Sequence, residues 1–328
     1  MKHSLAKVAR KQEFYIALIL LALGLVIGGV NPAFFARGNL FSLLRSSVVM
    51  GIFALGVMIV LISGGIDISF PAIAVFSMYV SGTFLVARGY TGGIWIPLMM
   101  SAVIGMCLGS INAVFVAFFK LPTLIVSLGT LGAIAGFLHA FIGTRIINRL
   151  PQGMIDFSRL QLFQSVTARG QTVGLSVTIF FYVAIIILVA VLMKYTTLGR
   201  GIYALGGDRV AAERAGFNVV RTQFFIYMFV GLLAGMVGVI HATHVRNMNP
   251  FDLIGRELDV IAATVVGGTN IGGGKGTVIG TVLGVFLIVT MNNSLILLGI
   301  PSYWQRLVTG LIIIVATGIS AYNTRKVV

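Results

Sequence analysis

The chain has 328 residues, of which 58% are hydrophobic and only 9% charged, with a formal charge of +15. Soluble domains carry about a quarter charged residues, so this composition excludes a soluble enzyme or binding module and marks an integral membrane protein. The 23 Lys and Arg are scattered over loops and span ends rather than gathered in one patch. That distribution argues against a nucleic-acid partner and suits anionic lipid headgroups and a positive-inside bias.

The basic N-terminus, MKHSLAKVARKQE, leads into an apolar run over residues 14–30. This run exceeds the roughly 7–15 residues of a signal-peptide core and has no convincing small-residue cleavage site, so it reads as an uncleaved first span with its N-terminus in the cytosol. Further apolar runs cover residues 47–63, 71–87, 93–119, 121–143, 173–193, 222–242, 276–298 and 306–322. Each is near the roughly 20 residues a helix needs to cross a bilayer. One more apolar piece, 257–268, is too short to cross upright unless flanking residues join it, which would make it the tenth span. The expected fold is therefore all-α, one polytopic transmembrane helical bundle of about ten spans over the whole chain. Ten crossings place both termini and the loop 194–221 in the cytosol, and the loop 144–172 outside.

The loop 144–172 is the longest polar stretch, and its RIINRLPQGMIDFSRLQLF alternates basic, apolar and aromatic residues. It admits two readings, a docking surface for an extracytoplasmic partner or a lid helix lying on the membrane. Glycine is abundant, 41 of 328 residues. Small residues four apart, at Gly24/Gly28, Gly105/Gly109, Gly132/Gly136, Gly231/Gly235 and Gly276/Gly280/Gly284, let helix backbones approach closely where lipid gives no hydrophobic drive to pack. Packing inside one bundle explains them, and a subunit interface is the alternative.

The loop 194–221, KYTTLGRGIYALGGDRVAAERAGFNVVR, is the most charged interruption of the apolar chain. Gly207 and Asp208 open a short helix over 209–215, with Asp208 as its N-cap and Gly216 placed to end it in the left-handed conformation. Such a helix is either an ordinary connector or an element gripped by another protein. A faint internal echo also appears: ISGGIDIS at 62–69 and VVGGTNIG at 265–272 each carry two glycines, then Asp67 or Asn270, then isoleucine. Transporters are often built from repeats with broken helices at the substrate path.

Several chemistries are missing from the pattern. NIGGGKGT at 270–277 lacks the first glycine and the final Ser/Thr of a phosphate loop, having Thr269 and Gly276 there. His241 and His244 are three apart without the intervening glutamate of a zinc motif, and Cys107 stands alone. No catalytic constellation, metal site or cofactor site is expected. Asp67 is the only acid between Glu13 and Asp156, and an ionisable group near membrane depth is a functional candidate; the alternative is a cap on a helix starting near Ile68. Asn112, Asn270, Asn292, Asn293, Thr130 and Thr264 offer hydrogen bonds either to a hydroxylated solute or to neighbouring helices.

Together, GRGIYALGGDRVAAERAGF at 199–217, SGGIDIS at 63–69 and ELDVIAATVVGGTNIGGGKGTVIGTVLG at 257–284 resemble the ribose-type sugar permeases of bacterial ATP-binding-cassette (ABC) importers. The resemblance runs through nearly the whole chain with its motifs in order. It implies a multi-pass permease in the bacterial inner membrane, paired with a second permease subunit. Its other implied partners are a cytosolic ATP-binding subunit, which would bind the ATP, and an extracytoplasmic solute-binding protein. Residues Gly207, Asp208, Arg209, Ala211, Ala212, Glu213, Arg214 and Gly216 then form the helix that couples to the ATPase. The chain departs from the family pattern at Asp208, Phe217 and Phe70-Pro71, which leaves the solute open. An ion-coupled secondary sugar transporter is the rival class, and the scarcity of acids in the apolar segments counts against it.

Overall fold

A computed structural model describes residues 12–166 and 172–301, together with positions 304, 307, 310, 311 and 314. Eight helices among the described residues are long and apolar enough to cross a membrane. They coincide with the first eight apolar runs and are apolar on all sides, as lipid-embedded or bundle-buried helices are. In order they are α1 (Gln12–Val30), α2 (Arg37–Ile62), α3 (Phe70–Ala87), α4 (Trp95–Ala117), α5 (Thr123–Phe137), α7 (Thr178–Tyr195), α10 (Val219–Val245) and α12 (Val278–Leu297). A π-helical turn, Leu138–Ile142, prolongs α5. The run at 306–322 lies outside the described residues apart from isolated positions.

The count of about ten is refined at 257–268. There α11 (Glu257–Val266) is a helix of 10 residues, about 15 Å long at the usual rise and half of a roughly 30 Å hydrocarbon core. The flanking turns supply the rest: Leu253 in front of it and Thr269 behind it are both buried. Irregular backbone at such depth is tolerated where protein surrounds it.

Two other boundaries differ from the sequence reading. Helix α2 starts ten residues earlier than the apolar run at 47–63, because Arg37 and Arg45 interrupt hydropathy without interrupting backbone hydrogen bonding. The polar loop 144–172 holds a short amphipathic helix, α6 (Gln152–Arg159), and the first strand of an antiparallel hairpin, β1 (Gln161–Val166) with β2 (Thr172–Ser176). The fold is thus an α-bundle with one small β-element, and the span expected from residue 173 begins at Thr178. The hairpin register slips between Leu162 and Ser165, where Phe163 has φ +48°.

The core centres on α2, which is buried continuously from Gly51 to Ile62. Around it lie α7, α10, α11 and α12, while α4 packs on α10 and α3. The expected glycine pairs sort clearly. Gly105 and Gly109 on α4 face Gly231 and Gly235 on α10, so that an added Cβ at any of them would strike the partner's backbone. The Ser101 hydroxyl crosses the same seam to the Gly235 carbonyl at 2.7 Å. Gly280 and Gly284 on α12 meet Gly267 and Ala263 of the α11 segment, and Gly24 and Gly28 accommodate Phe34 and Phe35. A Cβ at Gly132 or Gly136 on α5 would meet none of the described residues within 4 Å.

Chain direction alternates from span to span among the described residues. Glu13 at the start of α1 accepts a hydrogen bond from Thr277 just before α12, and Asn31 after α1 donates to the Leu297 carbonyl at the far end of α12. Ile62, ending α2, bonds to Gly274 at the first of these ends. At the opposite end, next to the hairpin, Arg45 donates to the His244 carbonyl and Tyr79 to the Arg145 carbonyl.

Candidate functional site

Two helices stand between α7 and α10. The first, α8 (Thr197–Gly207), is capped by the Thr196 hydroxyl, which accepts from Gly199 N at 3.0 Å. The second, α9 (Arg209–Arg214), has Asp208 as N-cap, its Oδ1 accepting from Ala211 N at 2.9 Å. Gly216 takes φ +86°, and Gly216 N and Phe217 N reach back to the Glu213 and Ala212 carbonyls at 3.0 and 3.1 Å. Both ends of the short helix are therefore satisfied locally, as the sequence pattern required. Arg209 pairs with Glu213 at 3.5 Å on the exposed side, a contact of small energetic weight.

One expectation on α9 is corrected. Ala212 was to lie against a partner, yet it is 2% exposed and packed into its own chain. Its small side chain seats the helix. The outward side is formed by Val210, Ala211, Glu213 and Arg214, with Gly207 and Asp208 also exposed.

The two echoing segments form turns at this same end of the bundle. After α2, Gly64 N and Gly65 N bond back to the Leu61 and Val60 carbonyls, with Gly64 at φ +82°; after α11, Gly268 N and Thr269 N bond back to those of Val265 and Thr264, with Gly268 at φ +94°. The helix ends are thus the same motif, but shifted one residue from the sequence match, since Gly64 corresponds to Gly268 rather than to Gly267. The first turn closes the long α2 and the second closes the short α11. Downstream, both polar residues make the same local turn. Asp67 Oδ1 accepts from Ser69 N at 2.7 Å and Asn270 Oδ1 from Gly272 N at 3.1 Å.

Their surroundings differ. Asp67 is buried, and its Oδ1 also accepts from the Ser69 hydroxyl at 2.7 Å, which in turn accepts from Asn112 Nδ2 of α4 at 2.7 Å. Asn112 Oδ1 is buried and has no hydrogen-bond partner among the described residues. The reading of Asp67 as a cap of a helix near Ile68 is revised, because α3 begins at Phe70 and Asp67 orients the turn ahead of it. The start of α5 holds this turn from the other side: Thr123 Oγ1 accepts from Ile66 N at 2.9 Å. Asn270 is half-buried and keeps its bonds within its own turn, donating to Gly273 O at 3.3 Å.

Of the remaining path candidates, Thr130 bonds to its own helix, to Val126 O at 3.0 Å. Thr264 is fully buried against α2, bonding to Val260 O at 2.8 Å and Ala54 O at 3.5 Å. Asn292 and Asn293 on α12 each carry a buried Oδ1 without a partner among the described residues. The structure therefore joins Asp67 to Asn112, sets Asn270 in the neighbouring turn, and places Thr130, Thr264 and Asn292 on helix faces apart from this chain of bonds. Ser69 and Thr123 were not singled out by the sequence. A serine two residues after Asp67 and a threonine directly after Pro122 were the available signals.

At the hairpin end, His241 Nε2 meets Asp252 Oδ2 at 3.2 Å, and this contact holds the Asp252 carboxyl below the usual carboxylate range. His139 reaches the Pro250 carbonyl at 3.0 Å and stacks on Phe251. These histidines tie down the connection between α10 and α11; no group of three or more potential metal ligands occurs among the described residues.

A family model described as "branched-chain amino acid transport system / permease component" matches residues 39–317. The ribose import permease protein of Haemophilus influenzae is 33% identical over 317 residues, covering 96% of this chain and 95% of its own. That of Bacillus subtilis is 33% identical over 311 residues, covering 94% and 92%. The autoinducer 2 import system permease protein of Salmonella typhi is 26% identical over 307 residues, covering 94% and 85%. No solved structure matches the chain.

Proposed function

The chain belongs to the family of branched-chain amino acid transport system permease components, and on that premise we propose that it is the membrane-spanning subunit of a binding-protein-dependent ABC importer for a sugar or sugar-like solute. ATP is hydrolysed by a cytosolic partner subunit, an extracytoplasmic binding protein delivers the solute, and a second permease subunit completes the path. The end of the bundle bearing α8 and α9 faces the cytosol, and the hairpin end faces the binding protein.

The observation that carries this reading is α9. A helix of 6 residues is far too short to be stable alone, yet both its ends are capped, its base is seated on Ala212, and its other face is left open to solvent. A self-contained knob of this kind suits the groove of a partner. The ribose import permeases among its relatives support a pentose or similar monosaccharide, and the autoinducer 2 permease widens the class to small polyhydroxylated solutes.

Reconstitution into vesicles tests this reading. The chain combined with its ATPase subunit and binding protein should import ribose or a related sugar only when ATP is supplied on the α9 side. Gradient-driven uptake by the lone chain would overturn it. Ala211→Trp, on the open face of α9, should abolish co-purification of the ATPase while leaving the amount of permease in the membrane unchanged.

A further inference from the structure

Helix α8 ends where the two turns meet. Gly274 N donates to Ile62 O at 2.8 Å, the backbone bond that joins the second turn to the end of α2. Gly206, two residues before the N-cap of α9, lies directly on that bond: an added Cβ would overlap Ile62 O and sit 2.7 Å from Gly274 N. A Cβ at Gly273 would come 3.0 Å from both Gly206 Cα and Gly64 Cα, so three backbones converge with no side chain between them. The Tyr203 hydroxyl adds one side-chain tie, donating to Gly276 O at 2.8 Å.

We propose that Gly206 is a positioning residue through which displacement of α9 reaches both turns at once, and hence the Asp67–Ser69–Asn112 chain. This rests on the reading of α9 as the ATPase-docking helix. Backbone packed on backbone transmits displacement without the slack of rotatable side chains, and at Gly206 the end of α8 touches both turns at one point. A push on α8 moves Ile62 and Gly274 together, and Ile62 lies five residues before Asp67.

The test compares Gly206→Ala, Tyr203→Phe and an exposed control, Gly29→Ala, whose Cβ meets none of the described residues within 4 Å. Each is expressed with the ATPase subunit and binding protein, and permease level, co-purified ATPase, hydrolysis and uptake of radiolabelled ribose are measured. Gly206→Ala should keep the ATPase bound and its basal hydrolysis, yet lose solute-stimulated hydrolysis and at least tenfold of uptake. Tyr203→Phe should raise the ATP hydrolysed per solute imported at least twofold, and Gly29→Ala should match the unmodified chain. Tyr203→Phe decides the matter if Gly206→Ala is absent from the membrane. Normal uptake and stoichiometry in the deciding variant, or loss of the ATPase from Gly206→Ala, overturns the transmission role alone. Failure of the ATPase to co-purify with the unmodified chain overturns the docking reading and the transmission with it.

Discussion

The turn at 63–69 and the turn at 267–276 begin alike and end differently. Each closes a helix with a left-handed glycine, Gly64 or Gly268, and each then folds over a side-chain oxygen, from Asp67 or Asn270. The first runs at once into α3 and buries its carboxylate in a chain of bonds to another helix. The second carries a glycine-rich extension to Thr277 before α12 begins, and its amide serves only its own turn. The lesson is that a shared local motif fixes local shape, whereas the neighbours decide whether its polar group is structural trim or part of the wider machine.

The widest gap between the turns should appear on truncation. Asp67→Ala removes the acceptor for Ser69 N and Ser69 Oγ in a buried site, an unsatisfied-group cost of about 1–3 kcal/mol, and should reduce uptake at least tenfold per unit of membrane protein. Asn270→Ala should reduce it less than twofold. Equal losses in the two variants would erase the distinction. Asp67→Asn, which keeps an acceptor for the turn, should fall between them.

A smaller effect is expected one step along the chain of bonds. Asn112→Ala takes the donor from the Ser69 hydroxyl but also removes Asn112 Oδ1, which has no partner among the described residues. These partly offset, so uptake should drop two- to fivefold. A loss as large as that of Asp67→Ala would mean that Asn112 contacts the solute directly.

The smallest difference is predicted where the turns agree. Gly64→Ala and Gly268→Ala each force a left-handed Cβ, costing about 1–2 kcal/mol, and should lower the thermal midpoint of the purified protein by similar amounts, roughly 2–4 °C each. A markedly larger shift for one would show that its helix end is more than a cap.

Much of this fold could be read from composition. Eight crossings followed from apolar length alone, because a bilayer demands the same thing of every span. Asp208 and Gly216 announced α9 because caps are local chemistry. What the sequence could not disclose was set by distant partners. Glycine spacing marked Gly105/Gly109 and Gly132/Gly136 equally, yet only the former faces another glycine pair. Ala211 and Ala212 look interchangeable until the seat of α9 is known. The hairpin escaped notice because QLFQSV sits among charged residues that also suit a surface helix, and Gly206 because nothing in its own neighbourhood says that a hydrogen bond lies beneath it.

The seam between α4 and α10 carries one more consequence. Along Gly105, Gly109, Gly231 and Gly235 the two helices touch main chain to main chain, and the Ser101 hydroxyl is fastened across them. A joint without side chains has no rotamers to exchange, and sliding it by one residue would drive Cβ atoms into carbonyl oxygens. The pair therefore behaves as a single stiff plate, and whatever flexing accompanies a transport cycle must be taken up at its margins, in the turns and in the loosely packed α5.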